Sequence, residues 1–112
     1  MIMTFWKGEE CYCLIEIRED NNNGHIRLET GAGGLALGYD KSNGLQAKYE
    51  AISNLIFSSR GTLKNYGVDV YDCDTLKELR AAFERAGYEY REPPDQPEQA
   101  TAELQHIEEN SN

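Results

Sequence analysis

Long apolar runs are missing from this sequence. No stretch approaches the roughly 18 consecutive apolar residues that a bilayer-spanning helix needs, so no such span is expected. The opening residues Met1 to Lys7 lack a basic segment followed by an apolar run, which predicts no secretory leader. Basic residues are also short, eleven Lys and Arg against twenty Asp and Glu, for a net charge of −9. Nucleic-acid affinity rests largely on Lys and Arg displacing counterions from phosphates, so direct nucleic-acid binding is disfavoured. Cysteine is present as an odd three, which suits a reducing compartment better than a disulfide framework. The expected location is therefore cytoplasmic.

What is present fits one domain. The chain has 112 residues, 39% hydrophobic and 28% charged, close to the globular average. The acidity is uneven. Glu92, Asp95, Glu98, Glu103, Glu108 and Glu109 close the chain with no Lys or Arg among them. Residues 1–91 hold fourteen acidic and eleven basic side chains, a much milder imbalance. A single α+β domain is expected over 1–91, with an acidic, flexible or weakly helical tail over 92–112, where Ala100, Leu104 and Ile107 form a faint stripe.

Two segments read as a hairpin. Cys11 to Arg18 and His25 to Thr30 alternate, and the Asn and Gly of residues 19–24 favour a turn. Setting Ile17 opposite Ile26 places Ile15 against Leu28 and Cys13 against Thr30, and gives Glu16 an opposite charge in Arg27. Leu45, Tyr49, Ile52 and Ile56 recur at helical spacing, predicting a helix from Leu45 to Phe57 capped by Asp40, Ser42 or Asn43 and stopped by Ser58–Gly61. Residues 62–73 read as a connection with a short strand at Val68–Tyr71. A second helix is expected over Thr75–Ala86 with Asp74 as its cap and Gly87 as its stop, followed by a strand at Tyr88–Arg91. The order strand, strand, helix, helix, strand predicts a small antiparallel sheet with both helices packed on one face.

Candidate chemistry is thin. The glycine-rich run Gly31 to Gly44 precedes a helix, as a phosphate cradle would, and an anionic nucleotide is the alternative ligand reading. Asp40 stands where the P-loop needs glycine before Lys41-Ser42, and the preceding hairpin is the wrong context for a dinucleotide fold. The glycines are therefore read as a chain reversal allowing close packing of sheet and helix. Cys11, Cys13 and Cys73 with His25 suggest zinc, but in the register above His25 faces away from the cysteine pair. Asp69, Asp72 and Asp74 lack the calcium-loop spacing. Neither His25 nor His106 sits in a catalytic motif. No enzyme, metal or cofactor is expected. Seven tyrosines stand out, because tyrosine is enriched at interfaces. With the neighbouring acids they predict a protein partner with a basic surface, contacted by Tyr39, Asp40, Tyr66, Asp69, Tyr71, Asp72 and Asp74.

The segment Gly33-Gly34-Leu35-Ala36-Leu37-Gly38-Tyr39-Asp40-Lys41-Ser42, the later Tyr66-Gly67 pair and the closing Gly87-Tyr88 resemble small phage- and prophage-encoded proteins over roughly residues 11–91. That resemblance implies a phage-derived, non-enzymatic inhibitor of bacterial defence, of the anti-CRISPR type, acting in the host cytoplasm on an effector complex. It supplies no catalytic residues.

Overall fold

The computed structural model describes residues 1–92. The α+β class and the strand, strand, helix, helix, strand order hold, with two further strands in front of the first helix. The elements are β1 (Ile2–Lys7), β2 (Glu10–Glu19), β3 (Asn23–Thr30), β4 (Gly33–Asp40), a 3₁₀ turn (Lys41–Asn43), α1 (Leu45–Asn65), α2 (Leu76–Arg85) and β5 (Glu89–Arg91). The five strands form one antiparallel sheet in the order β4-β3-β2-β1-β5. The expected tail, with its stripe of Ala100, Leu104 and Ile107, lies outside the described residues from position 93 onward.

The β2–β3 register is the one that side-chain pairing predicts: Ile17 faces Ile26, Ile15 faces Leu28, Cys13 faces Thr30 and Glu16 faces Arg27. Asp20 closes the turn, its carboxylate accepting from the backbone N–H groups of Asn22 and Asn23 at 2.8 and 2.7 Å. β1 lies between β2 and β5, and four of its six residues, Ile2, Met3, Phe5 and Trp6, are apolar. It turns Met3 and Phe5 into the core and keeps Thr4 buried on the reverse.

A bulge interrupts the β1–β2 pairing. Phe5 pairs with Cys13 and Trp6 with Cys11, leaving Tyr12 as the extra residue. Alternation breaks there. Cys13 is buried and Cys11 exposed, so the two cysteines do not share a face as strict alternation predicts.

β4 corrects the reading of the glycine run as a loop. Its Leu35, Leu37 and Tyr39 alternate toward the helices while Gly34, Ala36 and Gly38 lie exposed. The reversal is confined to Gly31 and Ala32, between paired Thr30 and Gly33. Tyr39 lies over its cross-strand partner Gly24, where a Cβ would stand only 2.0 Å from the ring. Its hydroxyl donates to Glu19 at 2.6 Å.

The helices share one sheet face. α1 covers the β3–β4 side, and α2 packs beside β5, with Phe83 stacked on Phe5 at 4.1 Å and 6°. α1 runs eight residues past its expected last residue Phe57, through Gly61 to Asn65, because Leu63 continues its apolar stripe and Ser59 is buried with it. Packing outweighs the roughly 1 kcal/mol that an interior glycine costs. Gly44 is its N-cap, without a side-chain bond, while Asp40 caps the 3₁₀ turn by accepting from Ser42.

The other sheet face carries charge. The Glu16 side chain is only 9% exposed and sits between Arg18 and Arg27, whose Nε atoms lie 3.1 and 2.8 Å from its oxygens. Arg27 also pairs with Glu29. Desolvation alone would raise the Glu16 carboxyl, but the hydrogen bonds and charges of Arg27 and Arg18 outweigh it and hold the group below the usual glutamate range.

Two predictions follow from this packing. Gly24→Ala should cost about 1–3 kcal/mol by driving a methyl group into the Tyr39 ring, read by urea denaturation; an unchanged midpoint would contradict the contact. Because the folded-state value of Glu16 is depressed, its contribution to stability is complete above the unfolded value and fades as pH falls through the folded one. The stability gap between wild type and Glu16→Gln should therefore narrow between neutral pH and pH of about 3; a gap independent of pH would contradict the ion-pair account.

Candidate protein-binding surface

The segment between the helices is pinned at both ends. α1 stops on Gly67 at φ +80°: the Gly67 N–H donates to Lys64 O at 2.9 Å and the Val68 N–H to Leu63 O at 3.0 Å. α2 stops in the same way on Gly87 at φ +93°, with Gly87 N–H to Glu84 O and Tyr88 N–H to Phe83 O, each at 3.0 Å. Positive φ makes glycine the fitting residue at both stops. The two ends are joined, since the Tyr88 hydroxyl donates at 2.7 Å to the carbonyl of Tyr66, the C-cap of α1.

The start of α2 is a reciprocal cap, and its N-cap is Thr75 rather than Asp74. Thr75 Oγ1 accepts from the Glu78 N–H at 3.2 Å, and Glu78 Oε1 accepts from the Asp74 N–H and the Thr75 hydroxyl. The Asp74 backbone bond and then the Thr75 hydroxyl hold the Glu78 carboxyl below its usual range. The Asp74 carboxylate instead accepts from Ser53 Oγ at 3.1 Å, tying the loop to the middle of α1.

Between these anchors the chain alternates. Val68, Val70 and Cys73 are buried; Asp69, Tyr71, Asp72 and Asp74 are exposed. The expected strand over Val68–Tyr71 is absent: the alternation is real, but among the described residues the segment pairs with no strand. Asp69 instead accepts from the Tyr71 N–H at 3.0 Å, and the Cys73 N–H closes a turn onto Val70 O. Tyr71 projects from this turn with 84% of its surface exposed.

Two hollows flank the loop. One, of about 400 Å³, is lined by Asp69, Asp72, Glu78 and Arg85 around Cys73. The other, of about 550 Å³, runs between Tyr71 and α1 and is lined by Arg60, Lys64, Val68 and Val70. Arg60 lies 3.7 Å over the ring of Phe57, which is 64% exposed. The acids therefore form one side of a mixed surface, and Phe57, expected as a helix end, is an exposed aromatic on it that sequence reasoning did not single out.

The seven residues expected at a partner surface do not all come together. Asp69, Tyr71, Asp72 and Asp74 share the loop, and Tyr66 stands at its entrance, half-buried and edge-on to Tyr12 at 5.9 Å. Tyr39 is a core residue. Asp40 sits near the start of α1, about 30 Å along that helix from Tyr66.

The chemistry of the remaining candidates is quiet. Burial, then the neighbouring Cys11, pushes the Cys13 thiol up to about 12. Burial and Glu78 also raise Cys73, with Arg85 partly opposing, so both thiols stay protonated near neutrality. Among the described residues no three His, Cys, Asp or Glu side chains are grouped to hold a metal ion. No described helix is long and apolar enough to cross a membrane. The cradle premise of the nucleotide reading also lapses, since the glycine run is a strand and α1 begins only after the 3₁₀ turn.

No family model matches the sequence, no curated protein matches it, and no solved structure matches the fold.

Thr75→Ala should lower stability by about 1 kcal/mol, while Thr75→Ser should restore most of it. Thermal denaturation reads the difference, and equal midpoints for all three proteins would contradict the reciprocal cap.

Proposed function

We propose that this domain is a non-enzymatic binding module that docks the Asp69–Asp74 loop on a basic surface of a protein partner. The observation that carries the reading is the exposure of Tyr71 on a loop fixed from both sides. An aromatic ring held in water on an immobilised backbone gives contact area with little ordering cost on binding. Asp69, Asp72 and Asp74 beside it supply long-range attraction to cations, which speeds encounter and sets orientation. Phe57 extends the aromatic surface along α1. The net charge of −9 opposes contact with phosphate backbones.

The resemblance to small phage proteins makes the partner a bacterial defence complex in the host cytoplasm, and the mode of action that of an anti-CRISPR inhibitor covering a basic groove. Occupation of such a groove by carboxylates would exclude nucleic acid from it without any catalytic step.

The test is binding to a panel of purified CRISPR effector complexes at low and at raised salt. Affinity should fall steeply with salt, Asp69→Lys combined with Asp72→Lys should abolish binding, and Tyr71→Ala should weaken it about tenfold or more. Absence of binding across the panel would overturn the defence assignment. Binding that survives the paired lysine substitutions would overturn the acidic docking surface.

A further inference from the structure

The sheet has two edges, and they are built differently. β5 is three residues long, and the sequence after it reads Glu92-Pro93-Pro94, with prolines that have no N–H to donate. β4 is eight residues long, has no proline, no charge before Asp40 and no shift in its register with β3. The Lys41 N–H donates to Asn22 O at 3.0 Å, which fixes the alternation of the ladder. Gly33, Leu35, Leu37 and Tyr39 then bond toward β3, and Gly34, Ala36 and Gly38 aim their N–H and C=O groups outward. All three are exposed.

We propose that this edge pairs antiparallel with β4 of a second copy of the chain, forming a two-fold dimer with a continuous ten-stranded sheet. The second copy fits because the edge is complementary to itself. With Ala36 on the two-fold axis, Gly34 of one chain lies opposite Gly38 of the other, and Leu35 lies opposite Leu37. On the helix face this covers two leucines that are only half-buried in the single chain.

On the open face, two β3 side chains lean over the β4 glycines. A Cβ at Gly34 would stand 3.0 Å from Glu29 Cγ, and one at Gly38 would stand 3.6 Å from His25 Nδ1. The register thus sets each Glu29, paired with Arg27 in the single chain, in line with the other chain's His25 across a pair of glycines, twice by symmetry. No two like charges on β4 oppose each other.

α1 gives independent support. Ser53 points to Asp74 in the loop that leads to α2, so the flank about 140° round the helix from it faces the β4 edge. At about 100° per residue that flank comprises Ala47, Ala51, Asn54, Ser58 and Thr62, all small and uncharged. The charged residues of α1, Lys48, Glu50, Arg60 and Lys64, lie elsewhere on the wheel. Pairing strands about 4.8 Å apart brings two helices side by side, and small flanks let them pack within about 8–10 Å.

The test is the mass of the full chain in solution, by sedimentation or light scattering at micromolar concentrations. Wild type should give twice the 12.7 kDa chain mass. Ala36→Lys puts like charges on the axis, and Asn54→Arg puts bulk and charge on the helix flank. Both positions are exposed, so each variant should keep the wild-type far-UV circular dichroism and return to 12.7 kDa. A wild-type mass of 12.7 kDa throughout, or a doubled mass that survives both substitutions, would overturn the proposal. Asp69→Lys with Asp72→Lys should leave the mass unchanged, so this edge and the acidic loop succeed or fail separately.

Discussion

The arrangement of the two helices turns on the hydrogen bond from the Tyr88 hydroxyl to the Tyr66 carbonyl. It joins the stops of two helices that otherwise cover different halves of the sheet. Both tyrosines pack against the β2 bulge, whose extra residue, Tyr12, offers its ring edge-on to Tyr66 at 5.9 Å and to Tyr88 at 5.6 Å. Phe83 meets Tyr88 edge-on and stacks on Phe5, so the aromatic chain runs from the middle of the sheet to the ends of both helices. A buried hydroxyl donating to an otherwise open helix-end carbonyl removes two unsatisfied groups at once. The Asp69–Asp74 loop is anchored beside this junction, because Val68, Val70 and Cys73 are buried among its exposed residues.

Legibility in the sequence depended on whether both sides of an interaction were local. The β2–β3 register was readable because Glu16 and Arg27 had to oppose each other while three apolar pairs shared the other face. β1 hid because Met3 and Phe5 enter the core while Trp6 and Thr4 pack the reverse, which leaves no polar alternation to see. β4 hid behind its glycines, although Leu35, Leu37 and Tyr39 already carry period two. What justifies glycine there is across the strand: the Tyr39 ring over Gly24 and the Glu29 stem over Gly34. The length of α1 was obscured by Gly61, a local breaker overruled by Leu63 in the core.

The surface was legible in part for the same reason. Asp69, Tyr71, Asp72 and Asp74 are close in sequence, so one loop suffices to gather them. Tyr39 looked equally available from its neighbours Gly38 and Asp40, but its destination is set by Gly24 on another strand. Phe57 shows the converse. It lies off the stripe of Leu45, Tyr49, Ile52 and Ile56, and the helix turns it outward beneath Arg60, which lines the Tyr71 hollow. No tally of residue types distinguishes those two aromatics; tertiary placement does.

The two exposed features of the molecule obey opposite rules. The Asp69–Asp74 loop bonds the N–H groups of Tyr71, Cys73 and Asp74 internally and turns its side chains outward, so the docking proposed for it would be chosen by charge and aromatic fit. The β4 edge offers backbone at Gly34, Ala36 and Gly38 with almost no side chain, so its selectivity has to come from the rows on either side, Leu35 and Leu37 above and Glu29 and His25 below. Glycine weakens a strand because the unfolded chain gains freedom. Where bulky neighbours lean across it, that cost is offset by their packing and by the close backbone approach it permits. An eight-residue strand with three glycines is then not a weak strand by accident of composition. It is the flat seam that remains when the side chains defining the surface are supplied by the strand behind it.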